Sequence, residues 1–330
     1  MKKYVLIAAT ACVALAACTK NEVKPVAVDQ EITFKTVGTK AAAAYGQSNT
    51  FRTWAYLHND DHATGIANQL YIGGSEGLVI SYVGTEWKNA TTKYYWPKNG
   101  EKLSFYSYAL NSAANTLAKG AVSCTFEEGI KVAEYDIVAN HDVDFLVADV
   151  AKNQTGNANT YGHNGVPTLF RHRLSNVAFT IKAAEAYANK TFELQSITLK
   201  TVAKTANYIQ APFGTEAWNG LSTTDITFCG VTPFAADVVT PTALQSYYIP
   251  QTFIADSQKV VVVYKITTAN GTPNSAEEIV TVTKDLKDLF PNSWEMGKKY
   301  TCGITVSLDE ILWDPAVEPW VDGTSTPQTI

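Results

Sequence analysis

Short runs of β-branched and aromatic residues recur along the whole chain, and no long amphipathic helical pattern interrupts them. Leu78–Val83 reads LVISYV, residues 103–108 read LSFYSY, and residues 259–264 read KVVVVY. Residues of these types favour strands, and strand-length runs separated by turn residues are typical of antiparallel sandwiches. The sequence therefore predicts an all-β protein.

The chain has 330 residues, which is more than a single hydrophobic core ordinarily serves. Gly162, Gly165 and Pro167 cluster between two strand-rich halves and mark the expected boundary. We therefore expect an N-terminal β-sandwich over residues 31–165 and a C-terminal β-sandwich over residues 166–330.

The amino terminus reads MKKYVLIAATACVALAAC, in which two lysines precede an apolar run of signal-peptide length. Its end, LAAC, resembles the lipobox of bacterial lipoproteins, in which the cysteine becomes the first mature residue and carries the lipids. We expect residues 1–17 to be a signal peptide, Cys18 to be lipidated in the outer membrane, and residues 18–30 to be a tether. An ordinary cleaved signal with an incidental cysteine is the alternative.

Three further cysteines, Cys124, Cys229 and Cys302, lie beyond the leader and far from one another. They form no C-x-x-C pair, so zinc-ribbon and thioredoxin-like sites are not expected. One disulfide plus a free thiol and three buried thiols are both compatible with this spacing.

The sequence contains no P-loop or G-x-G-x-x-G pattern. Residues 73–77, GGSEG, have the spacing of G-x-S-x-G, but they lie between two predicted strands, so we expect a hairpin loop there and not a nucleophile elbow. His58 and His62 flank two aspartates, but on a strand this spacing does not bring two rings to one face as a helix would, so we expect a polar turn. The glutamate pairs at 127–128 and 277–278 fit turns or solvated faces.

The net charge of −5 lacks the basic footprint of nucleic-acid binding. We therefore expect no enzyme activity, cofactor, metal or nucleic-acid partner.

Several segments together resemble the fimbrillin family, the lipoprotein precursors of pilus subunits in Gram-negative gut and oral bacteria. In chain order they follow the lipobox and read EITFKT (residues 31–36), DVDFLVADV (142–150), VPTLFRHRLSNVAFTI (166–181), YIPQ (248–251) and WEMGKKYTCGITVSL (294–308). This resemblance implies two transthyretin-like antiparallel β-sandwich domains in tandem. It also implies a surface lipoprotein that a trypsin-like protease matures and that polymerises by strand donation.

In that scheme the protease removes the first strand, and the carboxy-terminal strand of another subunit fills the groove left behind. Ile32 and Phe34 share one face of the first strand, within residues 31–37. Lys40 lies in the small-residue loop that follows and is the expected cleavage position. Arg52 is the alternative, but it lies within the next strand.

The tail, residues 309–330, contains the expected donor strand. Ile311, Trp313 and Val317 share one parity in an extended chain, and Trp320 lies on the other. The two prolines of this stretch limit continuous pairing, which fits an edge strand. They fit a tail that packs on its own domain as well.

The expected function is therefore a structural pilus subunit at the cell surface that supports adhesion. Its expected partners are other pilus subunits, the outer membrane through the lipid anchor before maturation, and a host or bacterial surface ligand. The alternative is a tip or anchor adhesin, or a glycan-binding lipoprotein, that does not polymerise.

Overall fold

The computed structural model describes residues 29–36, 46–110, 116–141, 143–156, 159–160, 163–242, 244, 246–270, 275–290 and 292–320. In chain order the strands are β1 (Phe34–Thr36), β2 (Thr50–His58), β3 (Gln69–Ile72), β4 (Leu78–Val83), β5 (Glu86–Lys88), β6 (Lys102–Leu110), β7 (Ala121–Thr125), β8 (Gly129–Asp136), β9 (Phe145–Ala148), β10 (Ala151–Gln154), β11 (Asn159–Thr160), β12 (His163–Asn164), β13 (Val166–Thr168), β14 (Phe170–His172), β15 (Ser175–Ala183), β16 (Lys190–Ile209), β17 (Ala217–Phe234), β18 (Thr240–Pro241), β19 (Tyr247–Tyr248), β20 (Gln251–Thr252), β21 (Lys259–Ala269), β22 (Ser275–Asp285), β23 (Ser293–Trp294), β24 (Lys298–Val306) and β25 (Ile311–Pro319). A helical turn, α1 (Leu286–Leu289), lies between β22 and β23. Among the described elements the strands dominate and α1 is the only helix, which confirms the all-β prediction.

The largest sheet has ten strands and contains β1. Its main order is β13-β1-β5-β4-β2-β6-β9-β14, with β3 beside β2 and β10 beside β6. Strand β6 is buried along almost its whole length because apolar side chains cover both faces of the sheet. Phe105 belongs to a smaller core on one face, and Tyr106 belongs to a larger core on the other.

Strand β16 organises the second, six-stranded sheet. It pairs with β17 along one edge, and with β21 and then β8 along the other. The change of neighbour coincides with a register shift after Leu199, where Thr201 has a φ of 54°. A bulge of this kind bends a strand. Here β16 pairs with β21 before the bulge and with β8 after it.

Strands β7 and β8 precede the expected domain boundary near residue 165, whereas β16 follows it. Because β8 pairs with β16 and β7 pairs with β8, the hydrogen bonding of the six-stranded sheet crosses that position. The division into two tandem sandwiches therefore stays a prediction from the sequence.

The third sheet has five strands in the order β18-β15-β24-β25, with β19 beside β15. Strands β15 and β24 are parallel, from Asn176 opposite Lys299 to Ala183 opposite Val306. Strands β1 and β13 are parallel as well. Both pairs depart from the antiparallel expectation, because residue alternation identifies the faces of a strand but not the direction of its neighbour. Two small sheets, β11-β12 and β20-β23, complete the described structure.

Cys124 and Cys302 are free thiols, so they do not form a disulfide with each other. Burial raises the pKa of both thiols, that of Cys302 to about 12. They are therefore protonated at neutral pH and act as small apolar side chains. The side chain of Cys229 lies outside the described part of the structure.

Gln210 connects the ten-stranded and six-stranded sheets through its buried side-chain amide. The Ile130 N–H in β8 donates to its Oε1 at 3.0 Å, and its Nε2 donates to the Ala148 carbonyl oxygen in β9 at 2.9 Å. Both backbone groups would be left without these partners if the side chain were removed. The amide is thus a polar link across an otherwise apolar contact.

We expect Gln210→Ala to lower the free energy of unfolding by about 2–4 kcal/mol, because two buried backbone groups lose their partners. Urea unfolding followed by tryptophan fluorescence measures this change. The control is Gln69→Ala in β3, where the side chain is exposed; its effect should stay within about 0.5 kcal/mol. Equal changes in the free energy of unfolding for the two substitutions would contradict the role of Gln210 as a link between the sheets.

Candidate functional site: the first and last strands

The first described segment is anchored by two apolar side chains. Ile32 and Phe34 are each 3% exposed and belong to the smaller core. The Phe34 ring meets the rings of Phe51 and Phe105 edge-on, with both centroid distances at 5.6 Å. The two side chains that the sequence assigns to one face therefore do lie together in that core.

The backbone of the same segment is hydrogen-bonded on both sides. On one side Ile32 N–H donates to the Tyr94 carbonyl oxygen at 2.7 Å. On the other side Val166 N–H donates to the Thr33 carbonyl oxygen at 2.8 Å. Strand β1 thus lies between β5 and β13. Its removal would expose an apolar groove and leave backbone groups of both neighbours unpaired.

Gly165 allows the close approach of β13 to β1. It has a φ of +124°, and a Cβ atom at this position would lie 2.8 Å from the Phe34 carbonyl carbon. The contact is with backbone, which cannot move aside as a side chain can. The glycine that marks the expected domain boundary therefore also has a packing role beside the first strand.

We expect Phe34→Ala to lower the free energy of unfolding by about 3–5 kcal/mol, since it removes a buried aromatic ring. The control is Lys35→Ala, the next residue of β1, whose side chain is not in either core; its effect should stay within about 0.5 kcal/mol. Thermal unfolding followed by circular dichroism compares the two. A loss below 1 kcal/mol for Phe34→Ala would show that the first strand adds little to the fold.

Of the expected modification positions, Cys18 and Lys40 lie outside the described residues. Arg52 lies in β2, where its backbone is paired with Val79 of β4 and Tyr108 of β6. Its Nη1 donates to the carbonyl oxygens of Glu76 and Gly77 at 3.2 and 3.3 Å. A protease needs an extended, free backbone, so cleavage after Arg52 would require β2 to leave the centre of the sheet.

The tail forms the edge strand β25 of the five-stranded sheet. It pairs antiparallel with β24 over its whole length, from Ile311 opposite Val306 to Pro319 opposite Lys298. Trp320 continues the pattern, because its N–H donates to the Gly297 carbonyl oxygen at 3.0 Å. In this structure the tail up to Trp320 is therefore docked on its own chain.

The expected donor residues differ in how deeply they pack. Ile311, Trp313 and Trp320 are partly buried against the larger core, whereas Val317 is 42% exposed. Leu312, on the opposite face, is 55% exposed. The face predicted from the sequence to pack inward therefore does so at Ile311 and Trp313, whereas Val317 on the same face is exposed.

Trp320 rests on an aromatic platform that the sequence analysis missed. Its indole stacks on the His172 ring with a centroid distance of 3.7 Å and an interplanar angle of 12°, and on the Tyr247 ring at 5.4 Å. The His172 Nδ1 lies 2.7 Å from Asp144 Oδ2, and both of these side chains are buried. The only sequence signal for this platform is the alternation of His172 with apolar neighbours in FRHRL.

The prolines of the tail have their nitrogens on the outer edge of β25. The Trp320 N–H points toward β24, and donor direction alternates along a strand, so odd-numbered residues of β25 point theirs away. Pro315 and Pro319 are odd-numbered. The two prolines therefore cost no hydrogen bond to β24. They remove two N–H donors from the outer edge of β25, which limits the pairing of a further strand there.

The histidines around the HNDDH turn have structural partners. His58 Nε2 lies 2.8 Å from Ser104 Oγ, and His62 Nε2 lies 2.8 Å from the Tyr106 hydroxyl. The His62 ring also stacks on Phe213, with centroids 4.6 Å apart. In the part of the chain that the structure describes, no group of three His, Cys, Asp or Glu side chains is placed to hold a metal ion.

Burial lowers the pKa of His62 to about 4, and the nearby charges of Lys152 and His58 add to this effect. The folded state therefore favours the neutral ring. The contribution of the neutral His62 ring to the free energy of unfolding is fully present above the unfolded pKa of about 6.5, and it is lost as the pH falls toward 4. We expect His62→Gln to reduce the loss of stability between pH 7 and pH 4 by about 1–2 kcal/mol, after allowance for the partial exposure of the ring.

Urea unfolding at several pH values measures how steeply the free energy of unfolding falls between pH 7 and pH 4. An unchanged slope in the His62→Gln variant would assign the acid sensitivity to other groups.

The described residues contain no helix that could span a bilayer. The model of the fimbrillin-like family matches residues 34–320. The chain therefore belongs to this family, which confirms the resemblance drawn from the sequence.

The fold is similar to that of a solved fimbrial protein. A fimbrial protein from Bacteroides vulgatus has a TM-score of 0.66 at 16% identity, with 88% of this chain and 99% of that chain covered. A putative cell adhesion protein from Bacteroides uniformis has a TM-score of 0.49 at 17% identity, with 88% and 98% covered. The tip fimbrial protein Mfa3 from Porphyromonas gingivalis has a TM-score of 0.38 at 12% identity, with 88% and 100% covered. No curated protein matches the chain.

Proposed function

We propose that this chain is a structural subunit of a cell-surface pilus that polymerises by donor-strand exchange and supports adhesion. The observation that carries this proposal is the position of β1. A three-residue strand lies between two neighbours that are distant in sequence, and the segment around it contributes two buried apolar side chains. Such a segment can leave as a unit and be replaced by another strand of similar pattern.

Maturation in this proposal begins at the leader. The signal peptide, residues 1–17, is removed and Cys18 carries the lipid that holds the precursor in the outer membrane. Lys40 lies in the sequence between β1 and β2, so cleavage there separates β1 and the lipid from the rest of the chain. Arg52 is the less favourable position, because its backbone is paired on both sides.

The donor in this proposal is the tail of another subunit. Ile311 and Trp313 are two residues apart, as are Ile32 and Phe34, so they can fill the same two positions of the vacated groove. Val317 and Trp320 then extend the contact along the acceptor. Because Pro315 and Pro319 lack donors on one edge, the tail can pair fully with one side of the groove and only partly with the other.

A second candidate function rests on the docked tail. Nine paired residues and the stack of Trp320 on His172 hold β25 on its own sheet. A tip or anchor adhesin, or a glycan-binding lipoprotein, has no need to donate its tail and would keep it in this place. The adhesion target in either case is a host or bacterial surface ligand.

A cleavage and assembly assay tests the proposal. We expect limited trypsin-like proteolysis to remove roughly the first 40 residues, since the exposed segments between strands are cut first. The cut chain should then form an SDS-resistant ladder. Trp313→Ala should reduce the ladder about tenfold or more while lowering the stability of the uncut monomer by only about 1–2 kcal/mol, because the indole is only partly buried in the monomer.

The matched control is Leu312→Ala, whose side chain is exposed on the opposite face of β25. This variant should assemble as the unchanged chain does. If the cut chain stays monomeric at high concentration, the polymerising role fails and the tip or anchor role is favoured. If Trp313→Ala harms folding and assembly equally, the tail is part of its own core.

A further inference from the structure

Strand β22 forms a long open edge of the six-stranded sheet. All 11 of its residues are paired with β21, from Ser275 opposite Ala269 to Asp285 opposite Lys259. Within the described residues no strand pairs with its other side. The outer row of backbone donors and acceptors of β22 is therefore available to a further strand.

This edge lacks two backbone features that usually prevent edge-to-edge pairing, proline and a β-bulge. It contains no proline and no glycine, and no register shift interrupts its ladder with β21. Strand β25, by contrast, has two prolines on its outer edge. Ile279 in the middle of β22 is 59% exposed. A long, regular edge with an exposed apolar side chain favours pairing with another strand.

The charges of β22 are distributed in a self-complementary way. Glu278 lies near its start and Lys284 near its end, an even number of residues apart, so both side chains point to the same face. Lys284 Nζ has Asp288 as a partner at 3.1 Å. Among the described residues, Glu278 has no ion-pair partner within 4 Å. Two antiparallel copies of this strand can therefore place each Glu278 beside a Lys284.

We propose that β22 is a self-association edge, through which two copies of this chain pair antiparallel about a two-fold axis at Thr281. This register sets Glu278 opposite Lys284 of the second copy, twice by symmetry. It also sets Val280 opposite Val282 and Ile279 opposite Thr283. The two six-stranded sheets become one continuous sheet, and the interface is isologous.

Other registers lose this complementarity. An axis at Val280 sets Glu278 opposite Val282 and Lys284 opposite Ala276. An axis at Val282 sets Lys284 opposite Val280. An axis between two residues would set outward-pointing backbone groups against inward-pointing ones, so no ladder would form. Thr281 is thus the centre that both the hydrogen bonds and the charges favour.

The proposed register also brings like charges together at its ends, where Glu277 faces Asp285. Each of these carboxylates already has a lysine on its own chain. Lys265 Nζ lies 3.1 Å from Glu277 Oε1, and Lys259 Nζ lies 3.6 Å from Asp285 Oδ1. The repulsion is therefore offset within each copy, whereas the Glu278–Lys284 attraction acts between copies.

This association goes beyond the proposed function and does not depend on it. It uses neither β1 nor the tail, and it needs no proteolytic cut. It would join subunits side by side, in contrast to the end-to-end joining of strand donation. The two can therefore be tested separately on the uncut chain.

Sedimentation velocity of the uncut chain that lacks the leader and Cys18 (residues 1–18) tests the proposal. We expect a concentration-dependent dimer, and we expect Glu278→Lys or Lys284→Glu alone to raise its dissociation constant about tenfold, because like charges then face each other twice. The double variant Glu278→Lys/Lys284→Glu should restore the dimer to within about threefold of the unchanged chain. Glu310→Lys, an exposed change of equal charge outside this sheet, should have no effect.

Cross-linking tests the register. Thr281→Cys places two cysteines opposite each other on the axis, at a Cα separation that a disulfide can bridge, so oxidation should give a covalent dimer. Thr283→Cys is the control, because its two copies would lie about 13 Å apart along the strands. A chain that stays monomeric at millimolar concentration, a double variant no better than the single ones, or equal cross-linking at both positions would overturn the proposal.

Discussion

The pairing of β16 with its neighbours is the interaction on which the rest of the structure depends. One 20-residue strand carries β17 on one edge and β21 followed by β8 on the other. Strand β8 also supplies residues to the larger core and reaches β9 of the ten-stranded sheet through Gln210. The bulge near Thr201 lies where β16 changes neighbour from β21 to β8.

The strands away from β16 differ in whether their outer backbone N–H and C=O groups have hydrogen-bond partners. Strand β1 fills a gap between β5 and β13 and is bonded on both sides. Strand β25 covers β24 and presents an outer edge depleted of donors by its prolines. Strand β22 presents an edge with all its donors intact. The three strands thus differ in how many of their backbone groups are hydrogen-bonded.

The sequence predicts those features that depend on residue alternation. Ile32 and Phe34 share a buried face, KVVVVY forms the inner strand β21, and Trp313 points inward from the tail. It does not predict which strands are neighbours, because alternation identifies faces and not partners. The parallel pairs β1–β13 and β15–β24, the entry of β7 and β8 into the six-stranded sheet, and the platform of His172 and Tyr247 under Trp320 all depend on contacts between distant segments. The lipidation and cleavage positions Cys18 and Lys40 rest on the sequence alone.

The proposed strand exchange would replace one set of contacts of the tail by another. In place, β25 is hydrogen-bonded along one edge, and its outer side chains face solvent. In the vacated groove of another subunit it would have neighbours on both sides and would bury Trp313 in an apolar site, at the cost of its Trp320 stack and its bonds to β24. While β1 occupies the groove, the exchange has nothing to gain, because β1 already satisfies both neighbours with a covalently attached strand at high effective concentration. In the proposed scheme, cleavage of the connection after β1 would remove that advantage, so the cut would control whether the tail can exchange.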